Sequence, residues 1–325
     1  MMPPRRLLVA AAVALLIGTS AACGDRASGF AADGRLDVVT AFYPLRFLGE
    51  RVGGDAVAVT DLTKPGAEPH DVELYPRQVG EISDAGLVLY LKGFQPAIDQ
   101  AVAQEAADRA LDAGSVVELL GADAHEDEDE HGEEPEHGEE PEHAPGEHEH
   151  AEGGTDPHVW LDPVRFAAVA DRLAERLAQA DPAHADAYRA RAAALHAQLD
   201  ALDAEFADRL RTCERREFIT SHTAFRYLAD RYGLTEVGIT GVSPESEPTP
   251  RHLAHVAEQA RATGATTIFF ETLVSPRVAD TIAREVGART AVLDPLEGLT
   301  EPGADYFSVM RGNLSALTAA LECTS

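Results

Sequence analysis

The chain has 325 residues, 45% of them hydrophobic, which is enough length and apolar content for two folded lobes. Its formal net charge of −29 excludes nucleic acid as a partner, because phosphate binding requires the opposite sign. That charge is unevenly spread: residues 125–150 hold thirteen carboxylates and six histidines, with no lysine or arginine.

Arg5 and Arg6 open the chain, followed by an apolar stretch over 7–17 and small residues leading to Cys23, the three parts of an export signal. The stretch is too short to stay as a membrane span, and no later one is apolar and long enough. The segment resembles a bacterial lipoprotein signal, which implies cleavage of residues 1–22, a lipid on Cys23 and attachment to the outer face of the cell membrane. Ser20 departs from that pattern, where leucine is usual. An ordinary export signal with Cys23 incidental is the competing reading. Residues 23–35 read as a tether. Outside the cytoplasm the two remaining cysteines, Cys213 and Cys323, favour a mutual disulfide over two free buried thiols.

From residue 36 the pattern predicts strands over 36–40, 56–60, 87–90 and 115–117, with helices over 44–52, 75–85 and 96–111 between them. Residues 122–154 interrupt this alternation, and Gly-Glu-Glu-Pro-Glu-His occurs there at 132–137 and again at 138–143. Dense like charge without apolar side chains predicts a mobile loop. A helix over 164–180 completes an N-terminal lobe, 36–180. A longer helix over 183–211, with Asp181 as N-cap and Pro182 at its first position, forms a link over 181–212. Its apolar residues Tyr188, Ala192, Leu195, Leu199, Leu202 and Phe206 follow helical spacing. Strands over 217–220, 236–240, 267–270 and 290–293, with helices over 224–232, 250–263, 276–286 and 306–321, give a second lobe, 213–325. The fold class is α/β: two lobes, each a mainly parallel sheet flanked by helices, joined by one long rigid helix.

Ligands of open α/β sheets bind where strands end. Three histidines sit at such places. His70 follows Glu68-Pro69 in a loop after the second strand, His158 lies in Asp156-Pro157-His158-Val159-Trp160 ahead of a helix, and His222 follows the strand over 217–220. Proline before two of them stiffens the backbone, which suits imidazoles that hold a transition metal. His125, His131, His137, His143, His148 and His150 belong to the interrupting run, whose mixed chemistry implies several weak, exchanging sites. His184, His196, His252 and His255 fall on helices and are assigned no metal role.

The segments Gly66-Ala67-Glu68-Pro69-His70-Asp71, Asp156 to Pro163, Ser221-His222-Thr223-Ala224-Phe225 and Asp294-Pro295-Leu296-Glu297-Gly298 resemble, in that order, those of zinc-binding receptors of ABC importers. The resemblance covers about residues 36–321. It implies a metal in the interlobe cleft, capture of Zn2+ outside the membrane, delivery to a membrane permease and a monomeric, non-enzymatic protein. It also implies His70, His158 and His222 as ligands, with Glu297 as the fourth and Glu68 or water as the alternative. Manganese-type relatives carry an acid in place of His222. Asp156, Asp162, Asp294 and Glu271 are candidates to orient imidazoles or cap helices, and an ion pair to an arginine is the plainer reading of Glu271.

Three imidazoles and one carboxylate are a tetrahedral zinc set independently of any relative. The same three-histidine set also holds catalytic zinc, so a secreted zinc hydrolase is the rival function. No His-Glu-x-x-His helix supports it, and Glu297 would close the position that a water needs. The same residues also admit a manganese or iron receptor of this family, and an adhesive role in addition to metal capture.

Overall fold

Strand–helix alternation builds two four-stranded, all-parallel sheets with the same order. In the first, β1 (Leu36–Thr40), β2 (Val57–Asp61), β3 (Leu87–Tyr90) and β4 (Ala110–Asp112) run β2-β1-β3-β4, flanked by α1 (Tyr43–Gly53), α2 (Pro76–Asp84) and α3 (Pro96–Glu105). Two helices follow, α4 (Pro163–Ala180) and α5 (Ala185–Arg209). The second sheet, β5 (Glu217–His222), β6 (Thr235–Thr240), β7 (Thr267–Phe270) and β8 (Arg289–Val292), runs β6-β5-β7-β8 with α6 (Arg226–Tyr232), α7 (Pro250–Thr263), α8 (Arg277–Val286) and α9 (Tyr306–Ala320). This computed structural model describes residues 29–122 and 154–324. The signal over 1–22, Cys23 and the six histidines of 125–150 lie outside the described residues.

The topology places the cleft. β1 pairs with β2 on one side and β3 on the other, and β5 likewise with β6 and β7. Connections therefore leave the central strands in opposite directions, opening a crevice at their carboxyl ends in each lobe. Leu87, Val88 and Leu89 are all buried, as strands covered on both faces require.

Two local expectations are corrected. α3 ends at Glu105, not at 111, and the fourth strand is Ala110–Asp112, while 113–116 forms a 3₁₀ turn. Pairing of Leu89 with Leu111 buries Leu111, and this tertiary gain outweighs the β-branched preference of Val116 and Val117. Second, Asp181 does not cap the long helix. Residues 182–184 form a 3₁₀ turn, and the Asp181 carboxylate instead accepts from the Tyr188 hydroxyl at 2.8 Å and contacts His184 Nδ1 at 2.6 Å. Of the tether expected over 23–35, residues 29–35 lie against the first lobe, with Gly29 bridged to Ala85 and Phe30 to Leu36.

α5 buries the six apolar positions that its spacing singles out. It runs antiparallel to α4, with Arg189 paired to Glu175 and His196 to Asp171. Its 25 residues span about 37 Å at the α-helical rise. One hydrophobic core extends from the first sheet through α4 and α5 into the second lobe, so the seam between lobes is itself core. Two aromatic clusters line it: Phe42, Phe94 and Trp160 within the first lobe, and Phe47 with Phe166, on which Tyr306 of the second lobe stacks. A smaller core lies between the second sheet and α7 and α8. Among the described residues, no helix is long and apolar enough to cross a membrane.

Cys213, just after α5, is disulfide-bonded to Cys323, just after α9, across 110 residues of sequence. The bond closes the second lobe on itself. Replacing both cysteines by serine is expected to lower unfolding free energy by about 2–4 kcal/mol, the range for closing a long loop. Denaturant titration of the oxidised protein against the double variant measures this, and thiol titration of the unreduced, unfolded protein should find neither sulfur free.

Candidate metal centre

The four side chains singled out by the sequence come from four separate segments and meet at the seam. His70 sits on the loop after β2, where its backbone N–H donates to Glu68 Oε1 at 3.0 Å. Buried Gln95 holds that loop by donating to the Pro69 carbonyl at 3.0 Å and to Thr63 Oγ1 at 3.1 Å, and the edge of Phe94 rests 4.5 Å from the His70 ring. His158 precedes a 3₁₀ turn over Val159–Leu161 and is fixed by Asp156, whose Oδ1 accepts its backbone N–H at 2.9 Å and lies 2.8 Å from its Nδ1. His222 ends β5, and its Nδ1 lies 2.5 Å from Oε1 of Glu271, which follows β7; Ser221 Oγ donates to the same oxygen at 2.5 Å.

Glu297 is aimed by a distorted backbone. Leu296, buried just before it, has φ of 62°, a left-handed conformation that costs a branched residue roughly 1–2 kcal/mol. The cost is offset by four hydrogen bonds around it. Leu296 N–H donates to Asp294 Oδ1 (2.8 Å), Asn313 accepts Asp294 N–H (2.9 Å) and donates to its carbonyl (2.7 Å), and the Trp160 indole donates to Pro295 O (2.7 Å). Local strain at a point so thoroughly held is a mark of a functional position.

Three imidazoles converge on one oxygen. Glu297 Oε1 lies 3.3 Å from His70 Nε2 and 3.2 Å from His158 Nε2; His222 Nε2 is 3.4 Å away, in range of charge attraction but not aligned as a hydrogen bond. One ligand atom from each of the four lies within 4.8 Å of all the others. Ligands at about 2.0–2.2 Å from a tetrahedral centre are separated by about 3.3–3.6 Å, and the 3.2–3.4 Å between Glu297 Oε1 and the three Nε2 atoms lies close to that edge. His222 Nε2 and Glu297 Oε2 are buried without a hydrogen-bond partner among the described residues, which is the condition of atoms suited to a cation. Glu68 stands aside: its Oε1 is 4.0 Å from His70 Nε2 and engaged with the His70 backbone.

Charge is arranged in the same sense. Burial alone would push His158 down, but the adjacent Asp156 carboxylate outweighs it and lifts the imidazole to about 9. His222 is likewise raised, burial being outweighed by Glu271. His70 is lowered, because burial outweighs its contact with Glu297. Burial would raise Glu297, yet contacts from the imidazoles, His158 first, hold it well below the usual carboxylate range. Burial, then the nearby Glu297 charge, pushes Glu68 up to about 8.

The remaining candidates divide. Asp156 and Glu271 orient imidazoles, and Glu271 does so through His222 rather than through the arginine ion pair expected of it. Asp162 caps α4 by accepting Val164 N–H (2.8 Å), and Asp294 shapes the Glu297 turn. His184, His196 and His252 lie away from the centre, on Asp181, Asp171 and the Gly238 carbonyl. Sequence reasoning missed Ser221, Phe94, Gln95 and the crossing bond of Trp160. The position of Phe94 and Gln95 after a central strand was the available signal.

The family described as "ZnuA: Zinc-uptake complex component A periplasmic" matches residues 38–320. The chain is 34% identical over 323 residues to zinc-binding lipoprotein AdcA of Streptococcus pneumoniae serotype 4, covering 96% of this chain and 60% of that one. It is 36% identical over 326 residues to high-affinity zinc uptake system protein ZnuA of Bacillus subtilis, covering 97% of each. The chain thus spans less than two thirds of the length of the AdcA relatives, and nearly all of the Bacillus protein. Among solved structures, the Zn(II)-bound ZnuA-like domain of Streptococcus pneumoniae AdcA superposes with a TM-score of 0.71 at 31% identity, covering 89% of this chain and 100% of that one. With the match extending over both sheets and all four converging side chains, the chain belongs to the ZnuA family.

Proposed function

We propose that this protein is an extracytoplasmic zinc receptor that captures Zn2+ with His70, His158, His222 and Glu297 and delivers it to the permease of an ABC importer. The observation that carries the reading is the convergence of three Nε2 atoms on one carboxylate oxygen at the spacing of a tetrahedral N₃O set. The family, and the zinc-uptake names of relatives such as the Bacillus protein, support the same cargo. A lipid on Cys23 would hold the receptor, as a monomer, at the membrane surface beside its permease, in keeping with the lipoprotein name of the pneumococcal relative. The run over 125–150 would gather or sense zinc weakly, as an accessory to the tight site. The protein is read as a receptor and not a hydrolase because Glu297 takes the position at which a catalytic water would bind.

The ligand assignment makes a graded expectation. His158→Ala and His222→Ala should each weaken zinc binding by more than about 100-fold in chelator competition, exceeding the 10–100-fold typical of losing an outer partner such as Asp156 or Glu271. Glu297→Gln should cost more than Glu68→Gln. Near-normal affinity in both histidine variants would sink the reading, and a larger loss in Glu68→Gln than in Glu297→Gln would return the fourth ligand to Glu68.

Binding should also depend on pH with a definite sign. His158 is lifted from its ordinary 6.5 to about 9, and His222 is raised in the same direction. Across that window the metal-free site holds protons that zinc must displace. Affinity should therefore climb as pH rises from about 6.5 towards about 9. Calorimetry at pH 7 in buffers of different ionisation enthalpy should register net proton release, whereas buffer-independent heats would contradict the electrostatics.

A further inference from the structure

One phenol spans the seam beside the metal centre. Tyr227, on α6 of the second lobe, is fully buried, and its hydroxyl donates to the Asp156 carbonyl at 2.7 Å while accepting Leu120 N–H at 2.9 Å. Both partners belong to the first lobe. Asp156 N–H in turn donates to Leu120 O at 2.9 Å, and Gly121 bridges Thr155, so these stretches form a two-stranded clasp. The Arg226 guanidinium reaches the Gly121 carbonyl of the same clasp.

Each end of this connection leads to a candidate ligand. On the first-lobe side, the Asp156 whose carbonyl is gripped is the residue whose carboxylate holds His158 through both its backbone and its ring. On the second-lobe side, α6 starts four residues after His222, and the intervening turn is clamped from β6. Half-buried Glu236 accepts Ala224 N–H at 3.2 Å and Phe225 N–H at 3.0 Å, and Thr220 Oγ1 donates to it at 2.8 Å. Gly238 permits that closeness, since a Cβ there would meet Thr223 Oγ1 at 2.1 Å. The route from His222 to His158 through the Tyr227 hydroxyl thus has a fixed contact at every step.

We propose that Tyr227 is a positioning residue that sets the separation of His158 and His222, ligands from opposite lobes whose rings stand 5.3 Å apart, and so sets zinc affinity and residence time. The ring packs in the core beneath the Arg165 guanidinium, 5.0 Å from its centroid, a contact that phenylalanine would keep; the hydroxyl makes the hydrogen bonds that cross the seam. Deleting the hydroxyl leaves the Asp156 carbonyl and the Leu120 N–H without this partner in a buried setting, and frees Asp156 to shift with the imidazole it holds. The inference rests on the zinc reading above.

The test is Tyr227→Phe in the full mature protein, beside Tyr188→Phe as a control. Tyr188 loses a comparable buried bond, to Asp181 at 2.8 Å, in the α4–α5 hairpin. Zinc affinity by chelator competition, the rate of zinc loss to excess chelator and the visible spectrum of the cobalt(II)-loaded protein are compared. Tyr227→Phe should weaken affinity by about tenfold or more, speed release and alter the cobalt spectrum, while Tyr188→Phe lowers only the unfolding midpoint. Wild-type affinity, release and spectrum in Tyr227→Phe would overturn the proposal, as would equal changes in the control. His158→Ala is run alongside: if it binds zinc normally, the zinc reading itself fails, and a failure of Tyr227→Phe alone leaves that reading standing.

Discussion

The constraint on which the rest of the molecule depends is the burial of one carboxylate among three imidazoles. Glu297 has no exposed side-chain surface, and neither do His158 and His222. An ionised carboxylate taken out of water must be compensated by opposite charge or by hydrogen bonds. Here the compensation comes from Nε2 atoms that are themselves kept basic by Asp156 and Glu271 on their far sides. The arrangement alternates acid, imidazole, acid across the seam. A divalent cation at its centre would replace the protons and satisfy His222 Nε2 and Glu297 Oε2, which have no hydrogen-bond partner among the described residues.

Such a set is useful only if its members cannot drift, and the fold supplies rigidity in three ways. The seam is continuous core, with Tyr306 stacked on Phe47 and Phe166 across it, so parting the lobes would expose large apolar surface. Buried hydrogen bonds cross the seam as well: Trp160 to Pro295, Tyr306 to Trp160, and Tyr227 to Asp156. The strained Leu296 turn is held at each of its polar groups, which aims Glu297 inward. His70 is the least buried of the four converging side chains. It lies on an irregular loop and keeps a little exposure, and its ring meets Glu297 without the second carboxylate that Asp156 gives His158 and Glu271 gives His222.

Much of this is legible in the chain itself. Parallel α/β alternation marks both lobes, with most strands within a residue or two, and the buried stripe of α5 follows from helical spacing alone. The three histidines stand out because strand ends in such sheets are where ligands bind. The strand at 110–112 is not legible, because its identity rests on pairing with β3 and not on its own residues. The cap at Asp181 misleads for a similar reason: a carboxylate before a proline suits a helix start locally, but Tyr188, one turn into the helix, claims it.

Sequence by itself determined the chemistry: imidazoles near strand ends or ahead of a helix, one acid in a proline turn, two cysteines in a chain with the pattern of an export signal and a charge unsuited to nucleic acid. Those are statements about residue type and local backbone, which propensity and periodicity encode. Only the tertiary structure decided which acid meets the histidines, placing Glu297 at 3.2–3.4 Å from all three while Glu68 stays with the His70 backbone. It alone gave Glu271 to His222, Asp156 to His158 and Tyr227 to the seam. Such choices join residues as much as 227 positions apart. They follow from how two sheets pack across a shared core, and no local pattern in the chain records that geometry.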